Sequence, residues 1–252
     1  MLDYDKEASD YDALRGGEPR AESAARAVLG LVPEGTGSLL DVACGTGIVT
    51  RLLAAGRDGM RVTGVDLTYA MASRAAVRLP GAVVLADSRR LPFRDGEFDA
   101  VSSVWLLHLL AGPEDVRTVV GECARVLRPG GVYVTTVDKA AAHNVGSDID
   151  AVLASRPRYP ATDTAADVER YAAEHGLEPA GRATFAGRGQ GRSPRRALAD
   201  LRRGWFMTIP PGDPLAEDFA VRLAALPDQD RARPEPRFSL RAFRKPPGSR
   251  AG

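Results

Sequence analysis

The chain of 252 residues has two cysteines, Cys44 and Cys123, three histidines and, among 34 basic residues, only three lysines: Lys6, Lys139 and Lys245. Two thiols are too few for a disulfide framework or a four-thiolate zinc site, and they fit a reducing compartment. The net charge of +1 gives no single-signed face to recruit nucleic acid or an acidic membrane. No apolar run reaches the length of a bilayer span, and Met1 to Glu7 is acidic where a secretory leader is basic and then apolar. The expectation is a soluble cytoplasmic protein, monomer or homodimer, whose partner is a small molecule rather than nucleic acid or membrane. Scarce lysine with abundant alanine, glycine and proline points to GC-rich codon usage, which carries no chemistry.

What is present is ordinary for a globular chain, 44% hydrophobic and 27% charged, enough for one substantial core with appendages. Its organising stretch is Ser38-Leu39-Leu40-Asp41-Val42-Ala43-Cys44-Gly45-Thr46-Gly47-Ile48-Val49-Thr50. An apolar run ends near an acid, a Gly-x-Gly turn follows, and apolar residues then recur at helical spacing, which predicts strand, tight turn and helix. Gly45 and Gly47 let another molecule approach the backbone, and the helix that follows offers unpaired N–H groups.

The same form repeats. Arg61-Val62-Thr63-Gly64-Val65-Asp66 and Ala82-Val83-Val84-Leu85-Ala86-Asp87 are strands ending in acids, with a helix over 68–79 between them. Strands over 98–104 and 132–137 flank a helix over 113–127, stopped at Arg128-Pro129-Gly130-Gly131. Such alternation implies βαβ crossovers and a mostly parallel sheet with helices on both faces, with ligands outside the carboxyl ends of its strands. Before it, a helical pattern runs from Ala21 to Val32; after it, helices are expected over 163–175, 194–204 and 213–226 and strands over 177–185 and 238–243. The loop over 187–196 reads as flexible, basic and Gly-rich. The organisation is then a helical lid over 1–35, a core over 36–140, the rest of the sheet with a substrate-covering helical insertion over 141–245, and a disordered tail over 246–252.

Leu40 to Gly47, then Gly64-Val65-Asp66-Leu67 with Met71, then Ala86-Asp87 before Leu91-Pro92-Phe93, then Phe98-Asp99 ending at Leu107-His108, then Leu127-Arg128-Pro129-Gly130-Gly131, stand in unbroken order. Together they resemble the class I S-adenosylmethionine-dependent methyltransferases, in the small-molecule branch related to the ubiquinone and menaquinone enzymes. The resemblance implies a Rossmann-like, mostly parallel seven-stranded α/β sheet and S-adenosyl-L-methionine as cofactor. It implies that Asp41 supports the turn and the cofactor's amino group, and that Ala43, Cys44, Gly45 and Gly47 line its methionine portion. Asp66 would hold the ribose, Leu67 and Met71 the adenine face, and Asp87, with Ser88, the adenine amine. Ala43 stands where many relatives carry glycine. Tyr11 and Arg15 resemble the segment that closes over the cofactor in this branch, Arg15 pairing with its carboxylate.

Methyl transfer needs the acceptor held in line and dry, and a hydroxyl acceptor must also lose a proton. His108, after the fourth strand, and His143, after the fifth, are the candidate bases, each with a structural reading beside the catalytic one. Tyr4, Trp105, Trp205 and Phe206 are candidates for the acceptor pocket, although large apolar residues are more often core. No metal is expected, since Asp138 has no visible carboxylate partners. A dinucleotide oxidoreductase is disfavoured, because Thr50 stands where its third glycine belongs. The expected activity is methylation of a small metabolite, oxygen first, with nitrogen, sulfur or carbon on a peptide or other metabolite as the alternative. A non-catalytic cofactor-binding regulator is the alternative of another kind.

Overall fold

The computed structural model describes residues 11–204, 209 and 212–247. A short helix, α1 (Tyr11–Leu14), and a longer one, α2 (Gly17–Leu29), precede the sheet. Gly16 and Gly17, both at positive φ, separate them. A Cβ on Gly16 would run into the Arg188 carbonyl, so the break is also a close packing point.

Then come β1 (Ser38–Val42), α3 (Ile48–Ala55), β2 (Arg61–Asp66), α4 (Tyr69–Arg78), β3 (Val83–Leu85), β4 (Phe98–Ser103), a 3₁₀ turn over Leu107–Leu109 and α5 (Pro113–Val126). Pro113 opens α5 with Glu114 and Asp115 in its first turn, where a missing N–H costs nothing and acids meet the positive helix end. β5 (Leu127–Val137) leaves α5 directly, so Arg128-Pro129-Gly130-Gly131 ends the helix while already belonging to the strand. Phe98 pairs with Leu127, and an irregularity follows before Ala100 pairs with Val132.

Beyond β5 lie α6 (Lys139–Ala142), α7 (Asp148–Val152), α8 (Ala165–Glu174), β6 (Glu178–Ala186), α9 (Pro194–Arg202), α10 (Pro214–Ala224) and β7 (Arg237–Arg244). The seven strands run β3-β2-β1-β4-β5-β7-β6. The first five pair in parallel, and β7 is antiparallel to both β5 and β6.

Strand alternation divides the core between two faces. The row Leu40, Val101, Tyr133 and Phe243 packs with Val116, Val120 and Cys123 of α5 and Val168 of α8. The alternate row Leu39, Ala100 and Val132 packs with Val28 of α2 and Val49 and Leu53 of α3. A third cluster joins Val152 of α7 to Ala197 and Leu201 of α9 and Phe219 and Leu223 of α10. The insertion between β6 and β7 thus has apolar packing of its own.

The 187–196 loop differs from its expectation. Gly187 N–H donates to Pro236 O at 2.8 Å, Arg233 N–H to Arg192 O at 2.8 Å, and Gly189 N–H to Glu235 Oε1 at 2.8 Å. Its glycines serve close approach rather than looseness: a Cβ on Gly189 would lie 3.1 Å from Gly16 Cα. Among the described residues no helix is long and apolar enough to cross a membrane.

Candidate active site

The turn after β1 runs through Ala43, Gly45 and Gly47 at φ 58°, 56° and 76°. Cys44 N–H donates to Val65 O at 2.9 Å, tying the turn to β2. A Cβ on Gly47 would meet Ala75 Cα and Cβ at 2.9 Å, so glycine lets α3 and α4 close together. Gly45 is different: nothing lies within 4 Å of where its Cβ would be, leaving open space beside the backbone. The buried Cys44 thiol faces Gly64 and is pushed up by burial and by Asp41 and Asp66, which disfavours the thiolate. Ala43, in the left-handed region, carries a cost of about 1–2 kcal/mol that glycine avoids. Ala43→Gly should therefore stabilise the fold, by about 1 kcal/mol after the added freedom of the unfolded chain is counted. An unchanged or lower urea midpoint would contradict this.

The strand order places the ends of β1, β2 and β3 side by side, and with them Asp41, Asp66 and Asp87. Asp41 is 3% exposed; it accepts from Thr50 Oγ1 at 2.6 Å and Ser102 Oγ at 2.7 Å. Burial raises it to about 6, against the pull of those two hydroxyls. Both oxygens are used in holding β1, α3 and β4 together. Asp66, 8% exposed, accepts from Gly45 N–H at 2.8 Å and Thr68 N–H at 2.9 Å. Burial raises its pKa, and the backbone donors oppose the rise. Each carboxylate oxygen has two lone pairs, so Asp66 keeps capacity for further donors. Asp87 grips Arg89 at 2.7 Å, an ion pair that lowers its pKa. Leu67 is 63% exposed beside this rim, whereas Met71 is 2% exposed and lies within the fold. Ser88 is half-buried directly after Asp87.

Helix α1 sits against the turn. Thr46 Oγ1 donates to Asp12 Oδ1 at 2.6 Å, and Arg78 reaches both Asp12 Oδ2 and the Thr46 carbonyl at 2.7 Å. Tyr11, Asp12, Arg15, Gly17, Arg20 and Ile48 line a cleft of about 10 Å³, far too small for a nucleoside while α1 stays down. A cavity of about 820 Å³ opens beside Leu91, Phe93 and Arg125, and none of the glycine-turn residues lines it.

On the other side of the turn, Trp105 follows β4 at φ 61°, a left-handed conformation uncommon outside glycine. Its N–H donates to Thr136 Oγ1 at 2.7 Å, and its ring meets Phe185 and Phe238 edge-on at 5.5 and 5.4 Å. Arg20 lies 3.8 Å above the ring centroid. His143 meets Phe238 edge-on at 5.5 Å.

Burial, then Lys139 and further arginines, holds His108 well below 6.5 and His143 at about 3. Both rings are neutral at pH 7. Their folded values lie below the unfolded one, so the unfolded chain binds protons that the fold cannot, and stability is lost as pH falls from about 6.5 toward 3. Asp41, raised from 3.8 to about 6, opposes this, contributing stability that is lost as pH rises through that interval. His143→Gln should flatten the acid loss, read as urea midpoints between pH 4 and pH 7; an unaltered slope would count against a neutral buried ring.

Tyr4, Trp205 and Phe206 lie outside the described residues. The structure gathers Trp105, His108 and His143 with side chains that sequence reading passed over: Arg20, Lys139, Phe185 and Phe238. Lys139 carried a signal, as one of three lysines and placed directly after the fifth strand. Arg20 did not, because one arginine in a helical pattern looks like any other.

A glycine turn at the carboxyl edge of this mostly parallel sheet, with acids on adjoining strand ends, is the arrangement of a Rossmann-like fold. Residues 40–135 match the family described as Methyltransferase domain. The matched segment resembles the class I S-adenosylmethionine-dependent methyltransferase domains of the quinone methyltransferases. The chain is 34% identical over 114 residues to the ubiquinone/menaquinone biosynthesis C-methyltransferase UbiE of Desulfotalea psychrophila, covering 44% of this chain and 45% of that protein. It is 37% identical over 110 residues to the 27-O-demethylrifamycin SV methyltransferase of Amycolatopsis mediterranei, covering 40% and 39%. The chain thus spans less than half the length of these curated relatives. The crystal structure of the cyclase SpnF superposes with a TM-score of 0.63 over 97% of this chain and 95% of that one, at 21% identity, a likeness of fold.

Proposed function

We propose that this chain transfers a methyl group from S-adenosylmethionine to a small-molecule acceptor, a bacterial specialised metabolite methylated on oxygen. The observation that carries the reading is the open face of Gly45 beside the Asp66 carboxylate, where a ligand's diol would meet a charged acceptor. Ribose offers two adjacent donors, and an ionised carboxylate with unused lone pairs accepts both. The exposed Leu67 supplies an apolar cover for adenine, with Met71 packed inside the fold as support. Asp87 would share itself between Arg89 and the adenine amine, with Ser88 beside it. Ala43, Cys44, Gly45 and Gly47 would face the methionine portion, and Tyr11 and Arg15 would close over it, Arg15 as the partner of its carboxylate. Asp41 acts as a positioning residue, holding the turn through Thr50 and Ser102. Helix α1 has to lift for entry and close again afterwards, as a lid does, because the cleft beneath it holds no nucleoside.

Bound there, the cofactor supplies a methyl group on positively charged sulfur that an in-line nucleophile displaces. The chain's part is to hold the acceptor in line and keep water out, and such positioning can supply about 7–11 kcal/mol. His108 and His143, neutral and weakly basic in their buried settings, hydrogen-bond and orient the acceptor rather than remove its proton. His108→Gln and His143→Gln should each cost far less than the roughly hundredfold that loss of a general base brings. A hundredfold fall in turnover for either would restore it as the base.

The relatives named for quinone and rifamycin methylation support a small acceptor of this general kind. The test is incubation with methyl-labelled cofactor and small-molecule extracts, followed by mass spectrometry for labelled product and S-adenosylhomocysteine. Tight cofactor binding with no labelled product from any extract would argue for a non-catalytic binder.

A further inference from the structure

A closed ring of hydrogen bonds joins α1 to the glycine turn. Asp12 uses both carboxylate oxygens: Oδ1 accepts from Thr46 Oγ1 at 2.6 Å and Oδ2 from Arg78 Nη2 at 2.7 Å. Arg78 Nη1 donates to the Thr46 carbonyl at 2.7 Å and completes the ring. The three residues come from α1, from the turn after β1 and from the last turn of α4, so one contact ties α1 to the turn and to the helix that follows Asp66. Thr46 is buried, whereas the Asp12 and Arg78 side chains are 21% and 27% exposed. Partial burial shields the pair from salt better than a surface position would, and water still reaches it.

No core packing fastens α1, for none of its four residues is buried. Elements with few buried apolar contacts are the ones that open most readily. The other end of α1 lies at a pivot. Leu14 O accepts from Arg196 Nη2 of α9 at 3.1 Å, and Gly16 and Gly17 follow at φ 93° and 53°. A Cβ on Gly16 would run into the Arg188 carbonyl, so this end is packed against the 187–196 loop while the ring holds the end that carries Asp12. The cleft lined by Tyr11, Asp12, Arg15 and Ile48, about 10 Å³, excludes a nucleoside for as long as the ring is intact.

We propose that Asp12, Thr46 and Arg78 form a latch that sets how fast the cofactor enters and leaves, with Asp12 and Arg78 as positioning residues that act through α1. This rests on the methyltransferase reading and adds to it the residues that govern its lid. The ring needs no ligand atom, so the same contact closes α1 in the empty and in the loaded protein. A contact common to both states shifts no affinity: it slows association and dissociation together and leaves their ratio nearly constant. A residue that held the cofactor directly would change the Kd, chiefly through dissociation.

The test passes S-adenosylhomocysteine over the immobilised full chain and reads both rates by surface plasmon resonance. In Asp12→Asn and in Arg78→Gln, association and dissociation should each quicken by roughly tenfold, equivalent to about 1.4 kcal/mol, while the Kd stays nearly constant. The double variant should be little faster than either single one, because the two residues act through one contact. Arg78→Lys keeps the charge but has one reach for two acceptors, and its rates should fall between wild type and Arg78→Gln. Unchanged rates, a weakened Kd with association unaltered, or effects that multiply in the double variant would overturn the latch while leaving the methyltransferase reading intact. Failure of S-adenosylhomocysteine to bind the wild-type chain would instead remove that reading, and the latch's role with it.

Discussion

Replacing Asp66 by alanine should weaken S-adenosylmethionine binding by roughly ten- to hundredfold. A hydrogen bond to a charged acceptor contributes about 1.5–3 kcal/mol net, and about 1.4 kcal/mol corresponds to a factor of ten. The change removes more than the proposed ribose acceptor. Asp66 also takes the Gly45 N–H at 2.8 Å and the Thr68 N–H at 2.9 Å, so it sets the glycine turn and the start of α4. Asp66→Asn separates the two duties: its amide oxygen keeps one backbone contact, while the charge and one acceptor are lost. Calorimetry on folded protein should rank wild type above Asp66→Asn, and Asp66→Asn above Asp66→Ala. Wild-type affinity in the alanine variant would remove Asp66 from the site.

Gly47→Ala should be among the most damaging single methyl additions in the chain. At φ 76° an alanine bears a left-handed cost of about 1–2 kcal/mol. Its Cβ would also stand 2.9 Å from Ala75 Cα and Cβ, on helix backbone that cannot swing aside, and such overpacking costs about 1–3 kcal/mol more. The sum, about 2–5 kcal/mol, should lower the melting temperature by on the order of 10 °C. Gly45→Ala supplies the control, for at φ 56° it carries the backbone cost with nothing within 4 Å of the new methyl. It should therefore be the milder change for stability but the worse one for cofactor binding, because the methyl fills the space left for the ligand. Equal loss of stability in both variants would show that the α3–α4 contact is not what requires glycine at 47.

Much of the sheet was legible because local pattern and global fold agree there. The β-rich apolar runs from Leu39 to Val42 and from Val132 to Val137 are strands in any context, and a helix between each pair of parallel strands follows from chain connectivity. α6 and α7 escaped because helices of four and five residues hold too few apolar positions to show a period. The 187–196 segment was misread for a different reason: glycines that look like looseness in a sequence are, in the fold, the places where Arg188 and Gly189 pass within contact of Gly16.

The sequence alone determined the glycine turn, the acids on three successive strand ends and the order of the motifs, since each depends on residues within a few positions of one another. Only tertiary structure decided what each of those acids is bonded to. Asp41 and Asp66 end neighbouring strands and each accepts two hydrogen bonds, yet Asp41 is tied to the side chains of Thr50 and Ser102 whereas Asp66 is tied to the Gly45 N–H, beside open space. It also decided that Arg20 lies over the Trp105 ring and that Lys139 is buried within reach of Arg15, Arg20 and Arg192, because their closeness arises from the packing of elements far apart in the sequence. Burial and like charge are properties of that assembly, and no residue carries them in its own local sequence.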